Sequence, residues 1–113
     1  MRLVDKPIAL KDLSLMAEAG FGNLVKAVVD VEREIMAVDA ELHADEEALL
    51  LEDGSLQADL WGINIYPDLE AEERIEFDSM INIRPSQGNR SRGVDDPVIR
   101  DRIVRVVDYL VVP

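Results

Sequence analysis

Two runs of alternating residues, separated by a short charged break, restrict the fold of this chain more than any other feature. Residues 25–32 alternate with a period of two, and the same period runs from Ile35 to Leu42. Successive side chains of a β-strand point to opposite faces, so this period is typical of strands. With Glu32-Arg33-Glu34 as the break, the pattern predicts a β-hairpin of residues 24–32 and 35–42. One continuous helix over 25–42 is the alternative, and the β-branched residues on both flanks argue against it.

A second hairpin is predicted further along the chain. Leu60–Tyr66 is a mostly apolar run that ends at Pro67, and Ile75–Ile83 alternates between apolar and polar residues. Only a short acidic connector separates the two runs, which favours an antiparallel pair. The hairpins, at about 24–42 and 60–83, therefore predict an antiparallel sheet.

Three helices are predicted around this sheet. Residues 9–19 carry apolar side chains at helical spacing and are followed by Gly20, while a short middle helix begins near His43 and ends at Gly54. The C-terminal helix is expected from Pro97 to Val112, with Asp96 as its N-cap. The order of helix, hairpin, short helix, hairpin and helix is typical of an α+β domain, here with one face of the sheet covered.

Length and composition restrict the class of protein. The 113 residues are the size of one domain, residues 1–113, and none is cysteine. No run approaches the about 18 apolar residues that a membrane span needs, and the N-terminus lacks the apolar region of a signal peptide. A net charge of −12 argues against general nucleic-acid or membrane-surface binding, because both partners are polyanions. We expect a cytoplasmic protein, and no motif indicates a cofactor.

The charge is distributed unevenly along the chain. Residues 84–105 contain six arginines against three aspartates, a balance of +3, which leaves −15 for the other 91 positions. A basic segment on an acidic body suits a small anionic ligand or an acidic patch on a partner. The alternative is that these arginines pair with acidic residues of the same chain or of another subunit.

The densest part of this segment, residues 84–92, is the first candidate site. Arginine binds phosphate and carboxylate through its planar fork of donors, and glycines let the backbone approach a ligand. The stretch matches neither a Walker loop nor a dinucleotide-binding fingerprint. The predicted anion-binding residues are Arg84, Ser86, Gln87, Asn89, Arg90 and Arg92.

A second candidate lies at the end of the first hairpin. If the strand continues through His43, then Asp39, Glu41 and His43 project from one face and offer ligands for a divalent cation. The alternative is an ordinary solvated strand face. A polar row on the second hairpin, including Asn64 and Asp78, leads to the hypothesis that the acidic residues, the single histidine and the arginine loop line one cleft.

Four stretches together resemble a small family of uncharacterised prokaryotic proteins, a domain of unknown function. The resemblance extends over about residues 8–110 and is carried by residues 26–32, 35–47, 60–67 and 81–94. It implies a stand-alone small domain and assigns no activity, ligand or catalytic residue.

Three functions therefore remain as expectations. The first is a small cytoplasmic binding module that holds a phosphorylated or carboxylate ligand in the Arg84–Arg92 loop. The second is a structural or interaction protein, expected as a homodimer, in which the basic segment docks on the acidic body of its partner. The third is a metal-dependent hydrolase or phosphotransfer enzyme that uses Asp39, Glu41 and His43.

Overall fold

The computed structural model describes all 113 residues and has the α+β architecture expected from the sequence. Its three α-helices are α1 (Leu10–Ala19), α2 (His43–Glu52) and α3 (Pro97–Leu110). Its strands are β1 (Arg2–Val4), β2 (Ile8–Ala9), β3 (Val25–Asp30), β4 (Ile35–Val38), β5 (Leu60–Ile65), β6 (Ile75–Glu76) and β7 (Val111–Val112).

A five-stranded antiparallel sheet with the order β1-β4-β3-β5-β6 forms the centre of the molecule. The predicted first hairpin is confirmed, since β3 and β4 pair antiparallel with Ala27 opposite Val38 and Asp30 opposite Ile35. The buried Asp30 carboxylate closes the turn by accepting hydrogen bonds from the backbone N–H groups of Glu32 and Arg33, each at 2.9 Å. Strand pairing and this turn together exclude a continuous helix here.

The second hairpin is much shorter than the alternation over 75–83 predicts. Only Ile75 and Glu76 pair with β5, and Met80–Asn82 forms a 3-10 turn. Beyond β6, the amide of Asn82 takes the place of a neighbouring strand. Its Oδ1 accepts from Gly62 N at 2.8 Å and its Nδ2 donates to Gly62 O at 2.9 Å. One side chain thus satisfies the backbone groups of β5 that no strand pairs with, which the alternation pattern does not reveal.

The helices cover both faces of the sheet, so the expectation of a single covered face is wrong. The larger core joins α1 and α3 to one face through residues such as Leu13, Val29 and Ile103. On the opposite face, Leu50 of α2 packs with Val28 and with other apolar residues of the sheet. Because β3 and β4 bury side chains on both faces, α2 is needed to exclude water from the second face.

The last helix begins as predicted and ends two residues earlier. The Asp96 carboxylate accepts from Val98 N at 2.9 Å, and Pro97 occupies the first turn. Val111 and Val112 leave the helix and pair in parallel with Ile8 and Ala9 as a separate two-stranded sheet. The β-branched valines and the following Pro113 favour this extended ending. None of the three helices has the length and apolar character that crossing a membrane requires.

Candidate functional site

A cavity of about 190 Å³ lies between the start of α2 and the segment that follows β6. Strand β3, the first turn of α2 and two parts of the 79–92 segment each contribute to its wall. The lining residues are Lys26, Leu42, His43, Ala44, Ser79, Met80, Ile81 and Arg92. The cavity therefore combines two cationic side chains, an imidazole and a hydroxyl group.

Lys26 reaches the cavity from the sheet. It lies opposite Asn64 of β5, which in turn lies opposite Glu76 of β6, so the three form a polar row across the strands. Glu76 accepts a hydrogen bond from Asn64 Nδ2 at 2.8 Å, whereas Lys26 forms no ion pair. The Lys26 ammonium instead lies 5.3 Å from the centre of the Phe21 ring. Lys26 thus forms no ion pair, although with Phe21 it also lines a neighbouring cavity to which Asp39 and Glu41 contribute.

His43 is the first residue of α2 and is only 7% exposed. Its Nε2 lies 2.7 Å from the carbonyl oxygen of Ile63, and a carbonyl only accepts, so Nε2 carries the hydrogen. Burial lowers the pKa of His43 below its usual value, and the charges of Lys26 and Arg92 lower it further. The hydrogen bond to the Ile63 carbonyl and the charge of Asp78 raise the pKa, but by less. The imidazole is therefore neutral at neutral pH, and its Nδ1 is a hydrogen-bond acceptor without a partner in the chain.

The start of α2 contributes partial positive charge. Leu42 is at the N-cap position, and no side chain accepts a hydrogen bond from the N–H groups of the first turn. Such N–H groups and the helix dipole favour an anion nearby. The carboxylate of Asp45, in the same turn, lines a different cavity together with Glu52.

Arg92 and Ser79 form the opposite wall. Arg92 Nε donates to Asp78 at 2.6 Å, which lowers the pKa of the Asp78 carboxyl group, and both side chains are partly exposed. Ser79 is 1% exposed, and its Oγ accepts from Ile81 N at 3.3 Å, so its hydroxyl hydrogen remains available. A backbone hydrogen bond of 2.9 Å from Ser79 N to Arg92 O holds the two residues together.

The arginine loop itself is fastened by asparagines. Asn89 Nδ2 donates to the carbonyl oxygens of Asn82 at 2.7 Å and Gly93 at 2.9 Å, and Asn89 Oδ1 accepts from Asp95 N at 2.8 Å. Asn89 is 4% exposed. Its hydrogen-bonding capacity is thus used within the loop, where it braces the chain instead of facing solvent.

Arg84 also has a structural environment. Its guanidinium lies 4.3 Å from the centre of the Trp61 ring and donates to the backbone carbonyls of Gln57 and Leu60. Burial lowers the pKa of Arg84, and the nearby charge of Glu47 raises it by a smaller amount. These contacts lie at the start of β5, outside the cavity lining.

The other predicted loop residues are solvent-exposed. Gln87 donates to the carbonyl of Ala58 at 3.2 Å, and no side-chain hydrogen bond is formed by Ser86 or Arg90. Of the six residues proposed from the sequence, only Arg92 lines the cavity.

Asp39, Glu41 and His43 do not form a group that could hold a metal ion. The strand ends at Val38, Asp39 has a positive φ of 71°, and His43 already belongs to α2. Asp39 and Glu41 are exposed, whereas the His43 ring turns inward to Ile63. The premise that one strand continues through His43 is therefore wrong, because the extended backbone ends at Val38 and Asp39 takes a left-handed conformation.

Only some of the residues predicted to line one cleft lie in the same cavity. His43 and Arg92 do share a cavity, whereas Asp39 and Glu41 line neighbouring ones. Lys26 and Ser79 complete the cavity and were not among the candidates. Lys26 is the only basic residue in a strand of apolar and acidic residues, and this could have marked it as a candidate. No sequence pattern marks Ser79.

Glu46 has a strongly raised pKa and lies one helical turn after His43. Its side chain is 0% exposed; Oε2 accepts from Ala40 N at 3.0 Å, and Oε1 has no partner. Burial raises the pKa of Glu46 to about 9, against smaller opposing effects of the Ala40 N–H and Lys26. The carboxyl group is thus neutral at neutral pH and does not offset the charge of Lys26.

Comparisons with known proteins give one match. A family model described as Protein of unknown function (DUF5674) matches residues 2–110 and confirms the resemblance noted in the sequence. No curated protein and no solved structure matches the chain.

Proposed function

The chain belongs to the DUF5674 family of proteins of unknown function, and we propose that it is a small binding module for an oxyanion. The ligand is a phosphate or carboxylate group held in the cavity beside α2, and not in the exposed part of the arginine loop. One observation carries the proposal: Lys26, Arg92 and the uncapped start of α2 meet at a single cavity.

Electrostatics support this position. The chain has 24 acidic residues, yet Lys26 has no carboxylate partner, and Arg92 uses Nε for Asp78. Ammonium and guanidinium groups, backbone N–H groups and the Ser79 hydroxyl are all donors, which is the set that an oxyanion requires. The surrounding negative charge repels polyanions, so a small anion fits the whole molecule better than nucleic acid does.

The size of the cavity restricts the ligand further. Pockets for drug-sized molecules have about 300–1,000 Å³, whereas this cavity has about 190 Å³. Free phosphate, a small carboxylate or the head group of a larger ester suits such a volume.

Calorimetric titration with inorganic phosphate at low ionic strength tests the proposal. We expect Lys26→Met to weaken binding about tenfold, the effect of losing one charge-assisted hydrogen bond, and Arg92→Met to weaken it in the same direction. Lys11→Met and Arg90→Met are matched controls, because both side chains are exposed and neither lines the cavity. If Arg90→Met weakens phosphate binding and Lys26→Met does not, the anion binds in the arginine loop and the proposal for the cavity is wrong.

Charge complementarity supports self-association as a second candidate. Arg90 is exposed without a side-chain partner, and a cavity of about 500 Å³ is lined by Asp39, Glu41, Asp45 and Glu52, none of which is in an ion pair. A homodimer joined by these charges should dissociate as salt screens them, which sedimentation at low and high ionic strength measures. A monomer at low salt would exclude it. The expected cytoplasmic location is part of the proposal, and cell fractionation tests it.

A further inference from the structure

We propose that the cavity selects phosphate over sulfate, because His43 accepts a hydrogen bond from a hydroxyl group of the bound oxyanion. The inference rests on the proposed function and specifies the ligand of the same site. An anion that carries at least one hydroxyl hydrogen satisfies both the donors of the cavity and its one acceptor. An anion without any hydrogen does not.

The acceptor is fixed by the backbone. The bond from Nε2 to Ile63 O, at 2.7 Å, requires the hydrogen on Nε2 and leaves the lone pair of the neutral ring on Nδ1. Nδ1 has no partner in the chain, although His43 is only 7% exposed and lines the cavity. Nδ1 is thus an unpartnered acceptor on a largely buried ring that lines the cavity, independent of the helix start and of the two cations. A ligand that fills the cavity and displaces water must offer this atom a hydrogen-bond donor.

Phosphate and sulfate differ in this respect. In the neutral pH range inorganic phosphate retains at least one hydroxyl hydrogen, whereas sulfate retains none. Both anions satisfy Lys26, Arg92 and the Ser79 hydroxyl equally well. Against Nδ1, however, sulfate presents a second acceptor, and two acceptors in contact leave Nδ1 unsatisfied once the ligand has displaced water from it. Sites that lose such a bond discriminate strongly, so we expect at least a tenfold preference for phosphate.

The charges around His43 keep the ring neutral. Burial opposes protonation of the His43 ring, and so do the charges of Lys26 on β3 and Arg92 on the opposite wall. The charge of Asp78 favours protonation. The buried Glu46 of α2 carries no charge at neutral pH. As the pH falls through the lowered pKa of His43, Nδ1 gains a hydrogen and becomes a donor. The affinity for sulfate should then rise towards that for phosphate.

Calorimetric titrations of the full chain with inorganic phosphate and with sulfate, at equal ionic strength and pH 7.5, test the inference. Wild type should prefer phosphate at least tenfold. His43→Leu should bring the two affinities to within about threefold, while His43→Asn, whose amide oxygen can take the place of Nδ1 as the acceptor, should retain part of the preference. Asp45→Asn, in the same turn but facing another cavity, is the matched control.

The outcomes separate the two proposals. Equal affinities of wild type for both anions, each weakened by Lys26→Met, overturn the selectivity and leave the anion site standing. No binding of either anion overturns both. Urea unfolding of His43→Leu identifies a folding defect, and the His43→Asn variant then decides whether the acceptor is responsible.

Discussion

Replacing the buried Glu46 by glutamine should stabilise the protein at neutral pH. The carboxyl group is fully buried with one oxygen unpartnered, and burial raises its pKa to about 9 from an ordinary value of 4.5. Glutamine has nearly the same shape and keeps an oxygen for the N–H of Ala40. It also remains neutral in the unfolded chain, which glutamate does not.

The magnitude follows from proton linkage. Below pH 4.5 both states are protonated, so the carboxyl group makes no pH-dependent contribution to stability. Above it the unfolded chain ionises while the folded chain cannot, and stability falls by about 1.4 kcal/mol per pH unit. This loss continues until the folded pKa of about 9 is reached. At pH 7 it amounts to about 3 kcal/mol, which glutamine should restore.

Urea unfolding of wild type and Glu46→Gln at several pH values between 5 and 9 measures this effect. The difference in the free energy of unfolding should widen steadily with pH and level off near pH 9. Glu52→Gln changes an exposed carboxyl group of the same helix and should show almost no difference. A constant difference between Glu46→Gln and wild type, or a variant that is less stable at every pH, would refute the reasoning.

Two further variants test how the edge of β5 is closed. Gly62→Ala should lower the free energy of unfolding by about 2 kcal/mol, because the added Cβ would lie 2.5 Å from the buried side chain of Ser79 and overpack the site. An unfolding midpoint like that of wild type would contradict this expectation. Asn82→Ala removes three hydrogen bonds, to Gly62 N, Gly62 O and Arg92 O. Urea unfolding should show that the free energy of unfolding falls by about 3–5 kcal/mol. A loss below about 1 kcal/mol would mean that water replaces the amide.

Much of the fold is visible in local patterns. The alternation over 25–42 identifies the β3–β4 hairpin, and helical spacing identifies α1 and α3. Each of these signals lies within one element and reports which side chains face the core. Asp96 and Pro97 mark the start of α3 in the same way, since a cap acts only on neighbouring backbone groups.

The failure over 75–83 has a physical cause. Ile75, Phe77, Ser79 and Ile81 have the spacing of a strand, but the hydrogen bonds that a strand would make to β5 are made by the Asn82 side chain. An amide can imitate a peptide group, and this substitution leaves no trace in a pattern of apolar residues. Whether a polar residue faces solvent or backbone depends on tertiary contacts.

The same ambiguity limited the prediction of the site. Arginines and asparagines in a loop are all donors, and the sequence does not distinguish a donor that binds backbone from one that binds a ligand. Arg84 and Asn89 are of the first kind, and only Arg92 faces the cavity. Its partners Lys26 and His43 come from other elements, so they meet only through the order of strands and the position of α2.

The arrangement of Lys26 and Glu46 is the strongest reason to regard this cavity as functional. An ionised Glu46 near Lys26 would neutralise the cation and repel an anion, whereas the protonated carboxyl group leaves the positive potential intact. Keeping the acid neutral costs about 3 kcal/mol at pH 7, a large part of the stability of a small domain. Strongly perturbed titratable groups are enriched at functional sites. A lysine that forms no ion pair in a strongly acidic chain, near an acid that burial keeps neutral, supports the proposed anion site over a purely structural sheet face.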